Sequence, residues 1–288
     1  MCDEKDLARW ARGAVSRRTF GAGAIAAGAA ACAPIEGTAG ESSPAPLAER
    51  KVSFAIADGT MDGEFFHPAT GKHPGVILWP DIAGIRPAKR QMARRLAKEG
   101  YAVLLANPYY RDVAGQQFAD FADFAGQGGF EKVTPWRQKF TVDTIVSDTT
   151  GCVEWLLAQD AVDGTRGMGA QGYCMTGSFA LVAPAAHASM MAGASFHGGG
   201  LVREGERSPH RMMRKGAHYL VAIAKNDDAK APGDKTALRE AAAAVGADAE
   251  IEVYGGDHGW CVPDSPSYDE PEAERAWARL LALYAKAL

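Results

Sequence analysis

The chain has 288 residues, of which 47% are hydrophobic and 23% charged, and its formal net charge is −4. This composition is ordinary for a globular protein with a sizeable core and gives no sign of a nucleic-acid partner. The sequence contains no apolar run of about 18 residues that would predict a membrane span. Its five cysteines include no CxxC pair, so neither a zinc site nor a thioredoxin-like motif is predicted.

Residues 1–33 are typical of an export signal. The twin arginines Arg17 and Arg18 precede a short, weakly apolar run rich in Ala and Gly, which is the pattern of a twin-arginine signal. The alternative is a surface helix, which the glycines of this run would weaken. Small residues before Cys32 suit cleavage, and lipid attachment to Cys32 is the less favoured alternative. We therefore expect an exported, periplasmic protein, or a cytoplasmic one if the signal interpretation is wrong.

Residues 34–48 are rich in Pro and Gly and are predicted to form a flexible linker. Residues 49–288 are predicted to form a single domain. Its predicted elements are, in chain order, one or two strands over 51–66, strand 75–79, helix 86–100, strand 102–106, helix 142–157, strand 167–171, helix 178–187, strands 193–196 and 219–224, helix 235–245, strand 250–254 and helix 270–287. This alternation predicts an α/β fold with a mostly parallel sheet flanked by helices on both faces. The Phe- and Gly-rich segment 116–132 has weak periodicity and is predicted to be a mobile flap over a site.

Cys174 lies between a predicted strand and a predicted helix, and its neighbours are small. Gly172 precedes it by two residues and Gly177 follows it by three, which suits a nucleophile elbow, a sharp turn that brings the two backbones close together. At the N-terminus of a helix, exposed N–H groups favour a thiolate and a developing oxyanion. The alternative is a buried cysteine in a Gly-rich turn.

A nucleophile elbow needs a base and an acid. In α/β-hydrolases the acid follows the nucleophile along the chain, and the histidine follows the acid. Asp227 comes directly after a predicted strand and His258 after the next one, where sites of open α/β sheets are built. His258 would take the thiol proton and Asp227 would orient its ring. Asp228 is the competing acid. The alternative for His258 is a histidine that simply occupies a turn between glycines.

Two backbone N–H groups are the predicted oxyanion hole, those of Met175 and of Ile82, which lies in a loop after an earlier strand. Asp81 precedes Ile82, and a carboxylate near a cysteine would discourage thiolate formation. Alternatively, Asp81 caps the turn. His197 follows a predicted strand and is expected to be structural, with a contact to the cleft as the less favoured interpretation.

Together these features resemble the dienelactone hydrolase family, which has the α/β-hydrolase fold. The resemblance rests on Gly172-Tyr173-Cys174-Met175, the acid after a strand, His258-Gly259-Trp260 and Pro80-Asp81-Ile82-Ala83-Gly84, and it runs from about Val52 to the end of the chain. It implies hydrolysis of esters or lactones through a Cys-His-Asp triad and an acyl-enzyme, without a metal or organic cofactor. A Glu usually stands where Asp81 does, and it keeps the resting cysteine from ionising.

The family resemblance also implies two arginines that bind the carboxylate of the substrate. Arg111 resembles the first, but Val262 stands at the position of the second, and Thr176 replaces a common Gly. We therefore expect a weaker preference for acidic lactones, with Tyr109 and Trp260 supplying apolar contact together with the Phe-rich segment.

Two other functions stay open at this point. A broad carboxylesterase is the alternative within enzymes, and a non-catalytic protein that binds a small molecule is the alternative outside them. Cys152 and Cys261 could pair in an oxidising compartment, which their spacing does not decide.

Overall fold

The structure, a computed structural model, describes residues 46–288. The predicted export signal over 1–33 lies outside the described residues, as does the predicted linker up to residue 45. The first strand begins at Leu47, so the last two residues assigned to the linker belong to the folded domain.

Eight strands form one sheet. Their bounds are β1 Leu47–Ile56, β2 Gly59–Pro68, β3 Gly75–Trp79, β4 Ala102–Ala106, β5 Met168–Tyr173, β6 Met190–Phe196, β7 His218–Ala224 and β8 Asp248–Tyr254. The order across the sheet is β1-β2-β4-β3-β5-β6-β7-β8. The β1–β2 and β2–β4 pairs are antiparallel, and all later pairs are parallel. The carboxyl ends of six parallel strands therefore meet at one edge, where a site can form.

Helices pack on this sheet or cover its edge. Their bounds are α1 Pro87–Lys98, α2 Phe121–Gly126, α3 Gly129–Arg137, α4 Val142–Leu157, α5 Gly177–Ala186, α6 Lys225–Lys230, α7 Asp234–Val245 and α8 Glu270–Ala287, with short 3-10 turns at Cys174–Thr176 and Pro209–Met212. Among the described residues, none of these helices combines the length and the apolar character that crossing a membrane requires.

The core lies on both faces of the sheet. Strand β3 is buried along its whole length and its side chains alternate between the faces. Val76 and Leu78 pack with residues of α1 and α8, whereas Ile77 and Trp79 pack with residues of α4 and α5. Each such side chain stabilises the fold by about 1.5–3 kcal/mol when fully buried, which holds the carboxyl end of β3 in place.

The predicted fold class is confirmed, with a mostly parallel sheet flanked by helices. The segment 116–132 contains the beginning of two helices, α2 and α3, and its mobility as a flap over the site stays a prediction. Its aromatic rings belong to a small core that also contains Cys174 and Met175. Phe124 packs edge-on against Phe118 at 5.0 Å and against Phe130 at 4.6 Å between ring centroids. Close packing, and not helical periodicity, organises this part of the chain.

The considered pairing of Cys152 with Cys261 does not occur. Both are free, buried thiols. Cys152 belongs to the core on the α4 face of the sheet and Cys261 to the core on the α8 face, so the sheet separates them.

Candidate active site

Cys174 occupies the sharp turn between β5 and α5. Its φ is +57°, a left-handed conformation that is uncommon for a residue other than Gly. A Cβ on Gly172 would lie 2.0 Å from the Thr176 carbonyl oxygen, and one on Gly177 would lie 2.5 Å from the Gly198 Cα. At Gly172 the end of β5 therefore approaches the start of α5 as closely as the sequence predicted, whereas at Gly177 the close neighbour is the loop after β6. Only glycine fits at both positions.

Thr176 ties this turn to the neighbouring strand. Its hydroxyl accepts a hydrogen bond from the Tyr173 N–H at 2.9 Å and donates to the Pro80 carbonyl oxygen at 2.9 Å. The residue that departs from the family pattern thus has a structural role here, since it joins the end of β5 to the loop after β3.

His258 and Asp227 are brought together by the loops that follow β8 and β7. His258 Nδ1 lies 2.6 Å from Asp227 Oδ2, and the His258 backbone N–H donates to Asn226 Oδ1 at 2.9 Å. Asp228 points elsewhere: its carboxylate binds Lys235 Nζ at 2.7 and 2.8 Å. Of the two adjacent acids, the geometry therefore favours Asp227 as the partner of the imidazole.

Cys174 and His258 line the same small cavity at the carboxyl edge of the sheet. The lining residues are Asp81, Ile82, Phe121, Cys174, His197, His258, Gly259, Val262 and Ser265. The cavity volume is about 20 Å³, which is room for about one water molecule. Neither lysine nor arginine is among these described lining residues. Sequence reasoning did not single out Ser265, and Phe121 was included only through the Phe-rich segment.

Asp81 is buried and fully engaged. Arg86 binds it with two hydrogen bonds, at 2.7 and 2.9 Å, and Lys89 Nζ lies 2.9 Å from Oδ2 in an ion pair whose angles fall outside hydrogen-bond geometry. The Ala83 N–H donates to Oδ1 at 3.0 Å, so Asp81 also caps its own turn, which was the alternative interpretation. Burial raises the pKa of Asp81, but the two cations outweigh it and hold that pKa far below the usual range.

Asp264 extends this cluster toward the cavity. Its carboxylate accepts two hydrogen bonds from Arg86, at 2.7 and 2.9 Å. It also accepts one from the Phe121 N–H, at the start of α2, at 3.0 Å. The cluster therefore holds two carboxylates and two cations, with no net charge, and it fastens α2 over the cavity. The sequence offered no signal for it, since Arg86 and Lys89 looked like ordinary charged residues at a helix start.

Tyr109 connects the two residues predicted to form the oxyanion hole. Its hydroxyl donates to the Ile82 carbonyl oxygen at 2.8 Å and contacts Met175 Sδ at 3.4 Å. Tyr109 is 2% exposed and does not line the cavity. Tyr109 fixes the loop that carries Ile82, and its direct contact with substrate stays a prediction.

Two other predicted substrate contacts lie away from the cavity. Arg111 is bound by Asp148, at 2.7 and 2.8 Å, and by Asp58 at 2.7 Å. Its guanidinium is paired with two carboxylates and does not line the cavity, and binding of a substrate carboxylate by Arg111 stays a prediction. Trp260 is completely buried and stacks on Tyr254 with ring centroids 5.2 Å apart. Trp260 packs behind the residues that line the cavity and does not line it itself.

Comparison with known proteins agrees with the family resemblance found in the sequence. The sequence model of the dienelactone hydrolase family matches residues 61–288. A Yersinia pestis protein with the provisional name carboxymethylenebutenolidase is 25% identical over 218 residues, covering 74% of this chain and 78% of that protein. The carboxymethylenebutenolidase of Rhodococcus opacus is 26% identical over 148 residues, covering 51% of this chain and 53% of that protein.

Solved structures show the same fold. A Klebsiella pneumoniae protein, provisionally described as a dienelactone hydrolase, superposes with a TM-score of 0.69 at 22% identity, covering 83% of this chain and 99% of that one. A dienelactone hydrolase-like promiscuous phosphotriesterase from metagenomic libraries superposes with a TM-score of 0.64 at 24% identity, covering 84% and 98%. Because the family match extends over nearly the whole described domain, the chain belongs to the dienelactone hydrolase family and is a hydrolase.

Proposed function

We propose that the protein hydrolyses esters or lactones through Cys174, His258 and Asp227, by way of an acyl-enzyme. The observation that carries this proposal is the placement of Cys174 and His258 on one cavity, with His258 Nδ1 held 2.6 Å from Asp227. A nucleophile, a base and a group that orients the base are the parts that covalent acyl transfer needs.

The chemistry follows from these positions. His258 takes the thiol proton through Nε2 while Asp227 fixes the tautomer and supports the imidazolium. The Cys174 sulfur attacks the carbonyl carbon, and the N–H groups of Ile82 and Met175 bind the resulting oxyanion. The carbon–oxygen bond to the alcohol then breaks, and His258 returns the proton to the departing oxygen. Water releases the acid from Cys174 by the same steps.

Asp81 takes a different part from the one first expected. Its charge is compensated by Arg86 and Lys89, so its repulsion of a Cys174 thiolate is weak. We propose that Asp81 holds the turn that bears Ile82, and that it does not restrain the ionisation of the cysteine.

The test uses purified protein and p-nitrophenyl esters. Cys174→Ala should abolish hydrolysis and leave the circular dichroism spectrum unchanged, whereas Cys174→Ser should retain little activity. In the wild type, intact-mass spectrometry with a slowly hydrolysed ester should show one acyl group on Cys174. Full activity of Cys174→Ala would contradict the proposal. Binding of these compounds to the wild type without any turnover would favour the alternative of a non-catalytic binding protein.

We propose a neutral substrate. The relatives bear the name carboxymethylenebutenolidase, which denotes a lactone that carries a carboxylate, but here Val262 lines the cavity and Arg111 is engaged elsewhere. The absence of a cation from the described lining also favours a broad carboxylesterase as the second candidate function. The measurement is kcat/KM for an acidic lactone and for its neutral analogue. Val262→Arg should shift the preference toward the acidic lactone, whereas Arg111→Ala should not. A wild type that prefers the acidic lactone a hundredfold, on the scale of one charged hydrogen bond, would contradict this assignment.

We also propose that residues 1–33 direct export by the twin-arginine route and that residues 34–46, the part of the predicted linker before β1, form a linker. The pattern of Arg17 and Arg18 before a weakly apolar run supports this proposal. Changing both arginines to lysine should leave precursor in the cytoplasm, and an unchanged fractionation would contradict export. Mass spectrometry of the mature N-terminus would show whether Cys32 carries lipid.

A further inference from the structure

His197 is a second imidazole in the cavity, at the carboxyl end of β6. Its φ is +39°, which is uncommon for a residue other than Gly and marks a position that the surrounding structure enforces. The His197 N–H donates to the Ala222 carbonyl oxygen at 2.8 Å, so the strained backbone is held by the neighbouring strand. The side chain is 1% exposed and lines the cavity with Cys174 and His258.

The ring of His197 has apolar and aromatic neighbours but lacks a polar partner. It packs edge-to-face against His258 with centroids 4.7 Å apart, and against Trp260 at 5.3 Å. Within residues 46–288, neither Nδ1 nor Nε2 has a hydrogen-bond partner. A buried polar atom without a partner is costly, so a group that enters the cavity is the natural partner for this ring.

The charge of the ring is set by the groups around it. Burial, His258 and Lys89 lower the pKa of His197 well below 6.5, and Asp81 opposes them only in part. His197 is therefore a neutral imidazole, which offers one N–H donor and one acceptor nitrogen. It cannot act as a cation toward a carboxylate.

We propose that His197 donates a hydrogen bond to the leaving-group oxygen of the bound ester or lactone. This inference rests on the proposed function. In that reaction the carbonyl oxygen lies at the N–H groups of Ile82 and Met175, while the leaving oxygen must lie beside His258, which protonates it. Because the His197 ring packs against His258, a leaving oxygen that lies beside His258 would also lie near His197.

The hydrogen bond acts in the step that breaks the carbon–oxygen bond. As that bond breaks, its electron pair goes to the leaving oxygen, which takes the proton from His258 Nε2. His197 keeps its own proton and stabilises the negative charge that develops on this oxygen. A donor that is oriented before the reaction and shielded from water is well suited to this role.

The experiment compares an oxygen ester with the thioester of the same acyl and alkyl groups, because a thioether-type sulfur is only a weak acceptor. His197→Phe keeps the aromatic packing but removes both nitrogens. It should lower kcat/KM for the ester about tenfold, the scale of one neutral hydrogen bond, and leave the thioester nearly unchanged. His197→Asn, which tolerates a positive φ and retains an N–H donor, should recover part of the ester activity.

An unchanged ratio of ester to thioester activity in His197→Phe would overturn the proposal, even if both activities fell together. If this variant does not fold, His197→Gly relieves the positive φ, lacks the ring, and gives the same comparison. The proposed function fails separately: it fails if Cys174→Ala still hydrolyses both substrates, whatever the ratio shows in the His197 variants.

Discussion

Asp81→Asn should destabilise the protein far more than the loss of an equally well-formed ion pair at the surface. Asp81 bridges Arg86 and Lys89, and the side chains of both cations are completely buried. Asn retains the shape and the oxygen that the Ala83 N–H needs, but it removes the charge. Arg86 then keeps the Asp264 carboxylate, whereas Lys89 is left as a buried charge without a counterion. Breaking a buried pair in this way costs about 3–5 kcal/mol.

The matched control is Glu274→Gln. Glu274 binds Arg95 with two hydrogen bonds of 2.6 Å, a geometry as good as that of Asp81 with Arg86. The side chains of this pair are 43% and 49% exposed, and such pairs contribute at most about 1 kcal/mol. In a domain of this size, these losses of stability correspond to a Tm that is about 6–20 °C lower than that of the wild type for Asp81→Asn and less than about 4 °C lower for Glu274→Gln.

The assay is thermal and urea unfolding followed by circular dichroism. The pH dependence provides a second check, because burial lowers the pKa of Lys89 below its ordinary 10.5. The unfolded chain therefore binds the Lys89 proton more tightly than the folded protein does. The contribution of Lys89 to the free energy of unfolding then increases with pH up to about pH 10.5. The deficit of Asp81→Asn should be largest near neutral pH and shrink in alkaline buffer. The reasoning is refuted if Asp81→Asn and Glu274→Gln unfold within about 1 kcal/mol of each other.

Two further predictions concern the site, and a third concerns the buried thiol of Cys261. Asp227→Asn should lower kcat by a factor of about 10³–10⁴. Asp228→Asn, which loses only a pair with a lysine, should change kcat less than about twofold. The reverse order of effects would contradict the assignment of Asp227 as the acid. Tyr109→Phe should lower kcat about tenfold because it frees one loop of the proposed oxyanion hole. The control Tyr110→Phe, which loses a hydroxyl that binds Asp148 instead, should not lower kcat. Iodoacetamide should leave Cys261 unmodified in the folded protein, since burial raises the pKa of its thiol to about 12. Alkylation of Cys261 under native conditions, measured by peptide mass spectrometry, would contradict its burial.

Much of the fold was predictable because the local signals and the tertiary environment agree. Strand 75–79 is wholly apolar and the structure buries it completely. The helix predicted over 142–157 has those bounds, with a capping box in which the Thr141 hydroxyl accepts from the Thr144 N–H. The turn at Cys174 was recognisable because glycine is required where two backbones meet.

The remainder depended on contacts that sequence spacing does not record. Helices α2 and α3 are organised by aromatic packing and lack the helical periodicity that reveals an amphipathic helix. Arg111 was assigned through the family resemblance, and only its position beside Asp148 shows that its charge is already satisfied. Whether a charged residue at a helix start is solvated or buried, as Arg86 is, depends on what packs against it, and here that is an acid 178 residues away.

The hydrogen bond from the Phe121 N–H to Asp264 has a consequence for substrate affinity. The cavity has room for about one water molecule, so we predict that an ester binds to a conformation in which the cavity is wider. The apparent Kd then equals the intrinsic Kd divided by the open fraction, and an open fraction of about one in a hundred weakens binding about a hundredfold. Because Asp264 holds α2 and Arg86 with the same carboxylate, we expect the population that admits substrate to depend on the ion cluster of Asp81, Arg86, Lys89 and Asp264. Substitution of Arg86 or Lys89, which do not line the cavity, should therefore change the affinity for substrate.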